Sequence, residues 1–196
     1  MRTTRSSRRG ERVSTEDLRR AFREAPVAML FATGFGAGLA PVAPGTAGSA
    51  AALVVAGALA VWTSPTHGGS LGQAVGLLMS GLAIAAVAVP LSTRAGRALR
   101  AKDPGCVVID EVAGQLLASS PAPLFLYRSI GAAAAAWIVS FLAFRFFDVV
   151  KPGPVRRLQE LPEGLGIVAD DVLAGLLAAG VTAIVAGILS GGRPWS

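Results

Sequence analysis

Four stretches of the chain, residues 47–62, 72–91, 130–147 and 172–189, are apolar on every side, and Arg145 is the one charge among them. A helix that is apolar all round is buried in protein or lipid, and each stretch approaches the roughly 20 residues that span hydrocarbon. A fifth stretch, 107–126, is weaker, with Asp110 and Glu111 at its start and Pro121 and Pro123 near its end. The pattern predicts an all-α fold, an integral membrane helical bundle of about five membrane segments. Ahead of the first full crossing, residues 29–45 are apolar but dense in Gly and Pro. Pro41 and Pro44 each lack an N–H and crowd the preceding turn, so an interrupted or re-entrant element is expected there. Such backbone persists at membrane depth only when buried in protein or lining a wet cavity.

Charge fixes the expected orientation. Of 18 Lys and Arg, eight lie in residues 1–27, four in 91–111 and four in 145–171, leaving Arg128 and Arg193 elsewhere. Basic residues flanking apolar segments are retained on the cytoplasmic side. With residues 1–27 inside, 63–71, which has no charged residue, lies outside with His67. If 107–126 did not cross, the basic segment 145–171 would also lie outside. Five crossings place all three clusters inside and Trp195 outside. The expected organisation is a basic cytoplasmic tail, 1–27, carrying a short amphipathic helix over 15–25. A membrane-embedded domain, 28–190, and a short tail, 191–196, follow. No apolar run directly follows the arginines of the tail, so it does not read as a cleaved signal. It is either solvated or in contact with anionic headgroups.

Composition agrees with a membrane setting: 53% of residues are hydrophobic, 15% are charged, and the mean hydropathy is +0.58. A net charge of +6 and a pI of about 11.0 would suit nucleic-acid binding if the charge formed one patch, but its division among helix flanks reports topology instead. One cysteine, Cys106, excludes a disulfide framework and a Cys-rich zinc site.

Beyond the tail the acids are few: Asp103, Asp110, Glu111, Asp148, Glu160, Glu163, Asp170 and Asp171. All fall in the two segments assigned to the inside or at adjoining helix ends. Carboxylates at helix starts are favourable caps, which would account for Asp110 and Asp170 singly. Adjacent pairs at two separate helices point further, to convergence on a cation, because acids near hydrocarbon are costly. Arg145, Asp148 and Lys151 are spaced three apart and share a helix face. That spacing suits an intrahelical ion pair or a phosphate contact, with Arg offering a two-pronged fork.

Elimination narrows the chemistry. His67 is the single histidine, on the outer side, and Cys106 has Val112 where a Cys-x5-Arg phosphatase needs arginine. There is no Gly-x4-Gly-Lys-Ser/Thr loop, and the glycines at 34, 36 and 38 do not match a dinucleotide fingerprint. Carboxylates with basic residues remain, the set used in Mg²⁺-assisted phosphoryl chemistry. A cation transporter would also place acids in membrane segments, but near mid-bilayer and without accompanying Arg and Lys.

Four motifs resemble the phosphatidylglycerophosphatase A family of bacterial inner-membrane enzymes. They are Thr33-Gly-Phe-Gly-x-Gly-x-x-Pro-x-x-Pro-Gly-Thr46-x-Gly-Ser49, Asp103-x-x-x-Val107-Val-x-Asp110-Glu111-x-x-Gly114, Phe144-Arg-x-x-Asp148-x-x-Lys151-Pro152-x-Pro154 and Gly164-x-Gly166-Ile-x-x-Asp170-Asp171-x-x-Ala174-Gly175. They occur in order over about residues 30–180. Glu163 departs from the pattern, standing where glycine is expected. The resemblance implies Mg²⁺-dependent hydrolysis of the membrane lipid phosphatidylglycerophosphate to phosphatidylglycerol at the cytoplasmic face. A phosphatase or phosphotransferase for another lipid phosphate is the neighbouring alternative, although no Asp-Gly-x-x-Ala-Arg signature of the CDP-alcohol class is present. On this reading Asp110, Glu111, Asp170 and Asp171 are metal ligands, and Asp110, Asp148 and Asp171 are catalytic. Thr46, Arg145 and Lys151 contact the phosphate. Direct attack by water and a covalent aspartyl-phosphate are both compatible with that set.

Overall fold

The computed structural model describes residues 13–63, 69–126 and 130–190, and every regular element among them is helical. His67, the first twelve residues of the basic tail and the tail 191–196 lie outside the described residues. Helix α1, Thr15–Glu24, is the expected amphipathic helix. Ser14 caps it by accepting from the Asp17 amide at 3.1 Å, while its hydroxyl donates to Asp17 Oδ2 at 2.6 Å. That bond, with the Arg20 guanidinium, holds the Asp17 carboxyl below its usual range. Helix α2, Pro26–Ala32, and a 3₁₀ turn at Ala37–Leu39 form the interrupted element. Phe35, Gly34, Gly36 and Ala43 all have positive φ within it. The chain then enters α3, Pro44–Thr63, with Pro44 at its first position, where a missing N–H does no harm.

Four helices are long and apolar enough to cross a membrane: α3; α4, Gly69–Leu99; α6, Ile130–Val150; and α8, Glu163–Leu189. A short α7, Gly153–Leu158, links the last two. The fifth expected segment takes a different form. Residues 107–126 form α5, Ile109–Ser119, followed by a 3₁₀ turn at Ala122–Phe125. Eleven residues rise about 16 Å, roughly half the hydrocarbon thickness. Pro121 and Pro123, which cannot continue an α-helix, set the stop. Every residue of α5 except Val112 is buried, with α3, α4, α6 and α8 around it. The segment nevertheless carries the chain from one end of the bundle to the other. Gly114 meets Phe144 and Asp171, Ala118 packs with Ala174 and Ala178, and Phe125 packs with Ala132 and Ala186. α5 therefore runs parallel to α8 and antiparallel to α6.

Two helix boundaries differ from the hydropathy reading. α4 continues through Pro90 to Leu99, so Arg94 and Arg97 are helical. α8 begins at Glu163, seven residues before Asp170. The acid pair interrupts the apolar window and Gly164 and Gly166 resemble a loop, yet both glycines are tight helix contacts. A Cβ at Gly164 would strike the Val89 carbonyl, and one at Gly166 the Leu161 carbonyl. Glycines four apart, as at 34/38, 72/76 and 187/191, suit close helix packing; Gly38 does pack against the Cys106 carbonyl, but Gly76 and Gly187 face open space, and Gly191 lies outside the described residues. Gly114 and Gly175 make the close helix contact instead, because a Cβ on Gly175 would strike the Gly114 carbonyl. Ala132 and Ala136, in the run of alanines near the start of α6, are buried.

Glu163 has φ +51, the left-handed region where glycine is at ease. Its carboxylate meets Arg97 at 2.6 Å, and both side chains are more than half exposed. Left-handed backbone costs a non-glycine residue about 1–2 kcal/mol, whereas an exposed ion pair contributes about 0–1 kcal/mol. Glu163→Gly is therefore expected to be as stable as the parent or more so. Glu163→Ala, which keeps the strain and loses the pair, should unfold at lower temperature. Thermal melts in detergent check both, and a Glu163→Gly variant less stable than Glu163→Ala would contradict this account.

Candidate active site

The acids converge at the bundle end that also carries α1 and the 100–108 loop. α5 and α8 approach through the Gly114–Gly175 contact, one turn from Asp110 and Glu111 on one helix and from Asp171 on the other. Asp110, Glu111 and Asp171 each bring a carboxylate oxygen within 4.8 Å of the others. Their exposures are 1%, 7% and 0%. Three hard oxygen donors at this spacing suit a divalent cation such as Mg²⁺, which takes carboxylates and completes its shell with water or phosphate oxygen. Gly45, in the first turn of α3, closes one side, since a Cβ there would collide with Glu111 Oε1.

Asp170 stands outside this triad. Successive helical residues point about 100° apart, so Asp170 faces the end of α6, where its Oδ2 pairs with Lys151 Nζ. Lys151 is also 3.8 Å from Asp148 Oδ1, and Arg145 Nη1 lies 2.8 Å from Asp148 Oδ2. The predicted helix-face pairing of Arg145, Asp148 and Lys151 is thus present. It extends to a second helix, which an intrahelical pair would not need. Lys151 is buried and has φ +47, immediately after α6 ends. A lysine in a position that favours glycine is backbone strain at a charged cleft.

Capping does not account for the acids. The N-cap of α8 is Pro162, eight residues before Asp170, and that of α5 is Val108, which makes no side-chain cap bond. Asp110 and Glu111 do lie in the first turn of α5, where the helix dipole favours negative charge.

A cleft of about 460 Å³ opens over these groups, lined by Gly45, Asp103, Glu111, Arg145, Asp148, Lys151, Arg156 and Gln159, with Val149 and Val150 at one edge. Thr46, expected at the phosphate, is half-buried and does not line the cleft. Ser49, one turn on, does reach the site, its hydroxyl 3.4 Å from Arg145 Nη1. Sequence reasoning passed over Gly45, Ser49, Arg156 and Gln159 as site residues. Gly45 and Ser49 lie within the first motif, and Arg156 belongs to the basic segment 145–171. Cys106 lies nearby, 8% exposed, and burial pushes its thiol up, which keeps it protonated and a poor nucleophile.

The fold and the cleft define an integral membrane protein with a carboxylate-and-cation centre suited to phosphoryl chemistry. The family model of phosphatidylglycerophosphatase A matches residues 30–186. A Haemophilus influenzae protein named phosphatidylglycerophosphatase A is 34% identical over 151 residues, 76% of this chain and 82% of that protein. One of that name from Escherichia coli is 31% identical over 153 residues, covering 78% and 79%. A Bacteroides thetaiotaomicron protein named "Putative phosphatidylinositol-3-phosphatase" is 34% identical over 154 residues, covering 76% and 86%. No solved structure matches. The chain belongs to the phosphatidylglycerophosphatase A family and is a membrane phosphatase.

Gly45 gives a test in which stability and activity part company. Alanine suits a helix better than glycine by up to about 1 kcal/mol, which offsets part of the overlap with the mobile end of Glu111, so Gly45→Ala should remain folded with a melting temperature near the parent's. Its methyl displaces the Glu111 carboxylate, and phosphatase turnover should fall at least about tenfold, as misplacement at a reacting centre does. Unchanged turnover in a folded Gly45→Ala variant would show that Glu111 is not held in its working position.

Proposed function

We propose that the protein is a Mg²⁺-dependent phosphatase that hydrolyses phosphatidylglycerophosphate to phosphatidylglycerol and inorganic phosphate at the cytoplasmic face of a bacterial inner membrane. The observation that carries this reading is that Glu111 lines one cleft with Arg145, Asp148 and Lys151, while its triad partners Asp110 and Asp171 are buried beside it and do not line the cleft. A triad of buried carboxylates adjoins a pair of cations that are themselves held by two other carboxylates.

The triad Asp110, Glu111 and Asp171 would hold Mg²⁺, which when bound neutralises phosphate charge and makes a nearby water more acidic. Arg145 presents its guanidinium to the phosphate oxygens, with Ser49 beside it, and Lys151 adds a second positive contact. Asp148 orients both cations, and Asp170 fixes the lysine. Water attacks phosphorus as Asp110 or Asp171 takes its proton, the bond from phosphorus to the glycerol oxygen breaks, and that proton passes to the departing oxygen to give the alcohol. Asp170 thus moves from metal ligand to counter-ion of Lys151, and Thr46 yields its place to Ser49.

A cation transporter is disfavoured by what lies beneath the acids. Gly114, Gly175 and Phe144 close the floor, and the far end is the apolar cluster of Ala122, Phe125, Ala132, Ala136 and Ala186. A different lipid phosphate is the neighbouring reading, motivated by the name of the Bacteroides relative. Phosphate release from a panel of lipid phosphates by purified protein ranks the substrates. A marked preference for a phosphoinositide over phosphatidylglycerophosphate would overturn the substrate assignment.

Activity should disappear in excess chelator and return with Mg²⁺, with Ca²⁺ supporting less because it favours a looser shell of six to eight ligands. Asp110→Asn and Asp171→Asn should each lose at least about 100-fold in turnover, since even outer-shell changes cost about 10–100-fold. Each removes one of several crowded negative charges, so the metal-free protein should melt at the same or a higher temperature. The stabilisation conferred by added Mg²⁺ should vanish. Exposed Glu160, outside the cleft, supplies the control Glu160→Gln, which should be silent. Full activity in chelator, or an unchanged Mg²⁺ shift in both variants, would remove the metal from the mechanism.

Orientation is tested in a Cys106→Ala background. Lys102→Cys and Arg156→Cys should react with an impermeant thiol reagent only after permeabilisation, and Ser70→Cys in intact cells. The reverse pattern would place the cleft on the outer face.

A further inference from the structure

Beside the charged cleft lies a second cavity of about 520 Å³, walled by α1 and its lead-in, the 38–44 loop and the 105–106 turn. The two share Ala43, Pro44 and Gly105 as a common wall, and Gly105 puts no side chain between them. Their linings differ in charge. The cleft carries Asp103, Glu111, Arg145, Asp148, Lys151 and Arg156. Among the described residues no charged side chain lines the neighbouring groove; Val13, Leu18, Leu39, Val42 and Cys106 supply side chains to it. Its rim is open and apolar, with Val42 80% and Leu39 44% exposed. Two prolines, Pro41 and Pro44, and the left-handed Ala43 stiffen the loop between them, so the groove is preformed. Its volume falls in the range of pockets that bury a small ligand, and such pockets are predominantly apolar.

A polar compartment and an uncharged one joined at a shared wall have the form of an amphiphile. We propose that the groove between α1 and the 38–44 loop holds an acyl chain of the lipid whose phosphate enters the cleft. This rests on the lipid-phosphatase reading above and deepens it. The cleft grips the phosphate, while the groove sets the height and angle at which the headgroup is presented. Binding energy from the non-reacting tail then positions the reacting centre. The groove residues are specificity determinants and take no part in the chemistry.

The test compares a long-chain diacyl lipid phosphate in mixed micelles with its dihexanoyl analogue below micelle-forming concentration. Val42 is highly exposed, so Val42→Asp leaves the fold intact while placing a charge where methylenes would lie. The charge displaces methylenes from the groove, so KM for the long-chain substrate should rise at least about tenfold. Its kcat should fall as well, because the tail no longer positions the headgroup, while both constants for the short-chain substrate should stay within about twofold. Val27→Asp is the control, replacing an apolar residue 64% exposed on α2 and outside the groove; it should leave both substrates unaffected. Equal effects of Val42→Asp on long and short chains, or none on either, would overturn the groove assignment. So would a chain-length-dependent rise in KM from Val149→Asp in its place, since the chain would then leave past the end of α6. If the parent protein hydrolyses neither lipid phosphate, the phosphatase reading itself fails, a result distinct from all of these.

Discussion

Burying like charges at one end of an apolar bundle is the constraint on which this structure depends. Asp110, Glu111, Asp148, Asp170 and Asp171 are all at most 7% exposed. Among the described residues, Arg145 and Lys151 pair with Asp148 and Asp170, and Asp110, Glu111 and Asp171 gather beside them. Carboxylates this close repel one another in a medium that solvates charge poorly. Isolated buried charges are too costly to persist without pairing or metal coordination. The helices around them answer this need: glycines let α5 and α8 touch, α6 ends where its lysine can turn inward, and α3 brings Gly45 against Glu111. Much of the architecture at this end is legible as a means of holding carboxylates together.

The division of labour among the acids follows from helix geometry. Neighbours on a helix diverge, so the pair Asp170-Asp171 serves two partners, one facing Lys151 and the other facing α5. Asp110 and Glu111, in a first turn, both reach the triad. Beneath them the interior stays polar for one more step. Gln115 donates to Ser119 at 2.9 Å, and Ser119 lies 3.2 Å from Ser140 of α6. That network ties α5 to α6 by hydrogen bonds where apolar packing alone would allow the helices to slide.

The sequence displayed the four long helices, because a run without charge has few other solutions, and it displayed the acids and bases of the site, because so few interrupt those runs. Hydropathy misjudged what lay next to charge. The acid pair at 170–171 hid the first two turns of α8, and Pro90 and Arg94 hid the last turns of α4. The placement of basic residues predicts a fifth segment at 107–126, where the structure has the short buried α5, whose form is not readable because burial among four helices leaves no lipid-facing surface. Gly114 and Gly175 were visible only as motif letters. Their role depends on facing each other across two helices, a relation that spacing along one helix cannot express. Ser49 and Gly45 were missed as site residues for the same reason, being brought to Glu111 and Arg145 only by the docking of α3.

The half-length α5 bears on how the protein is built. An eleven-residue helix that begins with Asp110 and Glu111 has neither the length nor the composition to partition into a bilayer alone, where each acid near the centre costs about 2.5–3.5 kcal/mol on an insertion scale. Its four long neighbours meet both requirements unaided. The segment bearing two of the three triad acids therefore depends on the surrounding helices for its place in the membrane, and the triad exists only where the assembled bundle supplies those contacts.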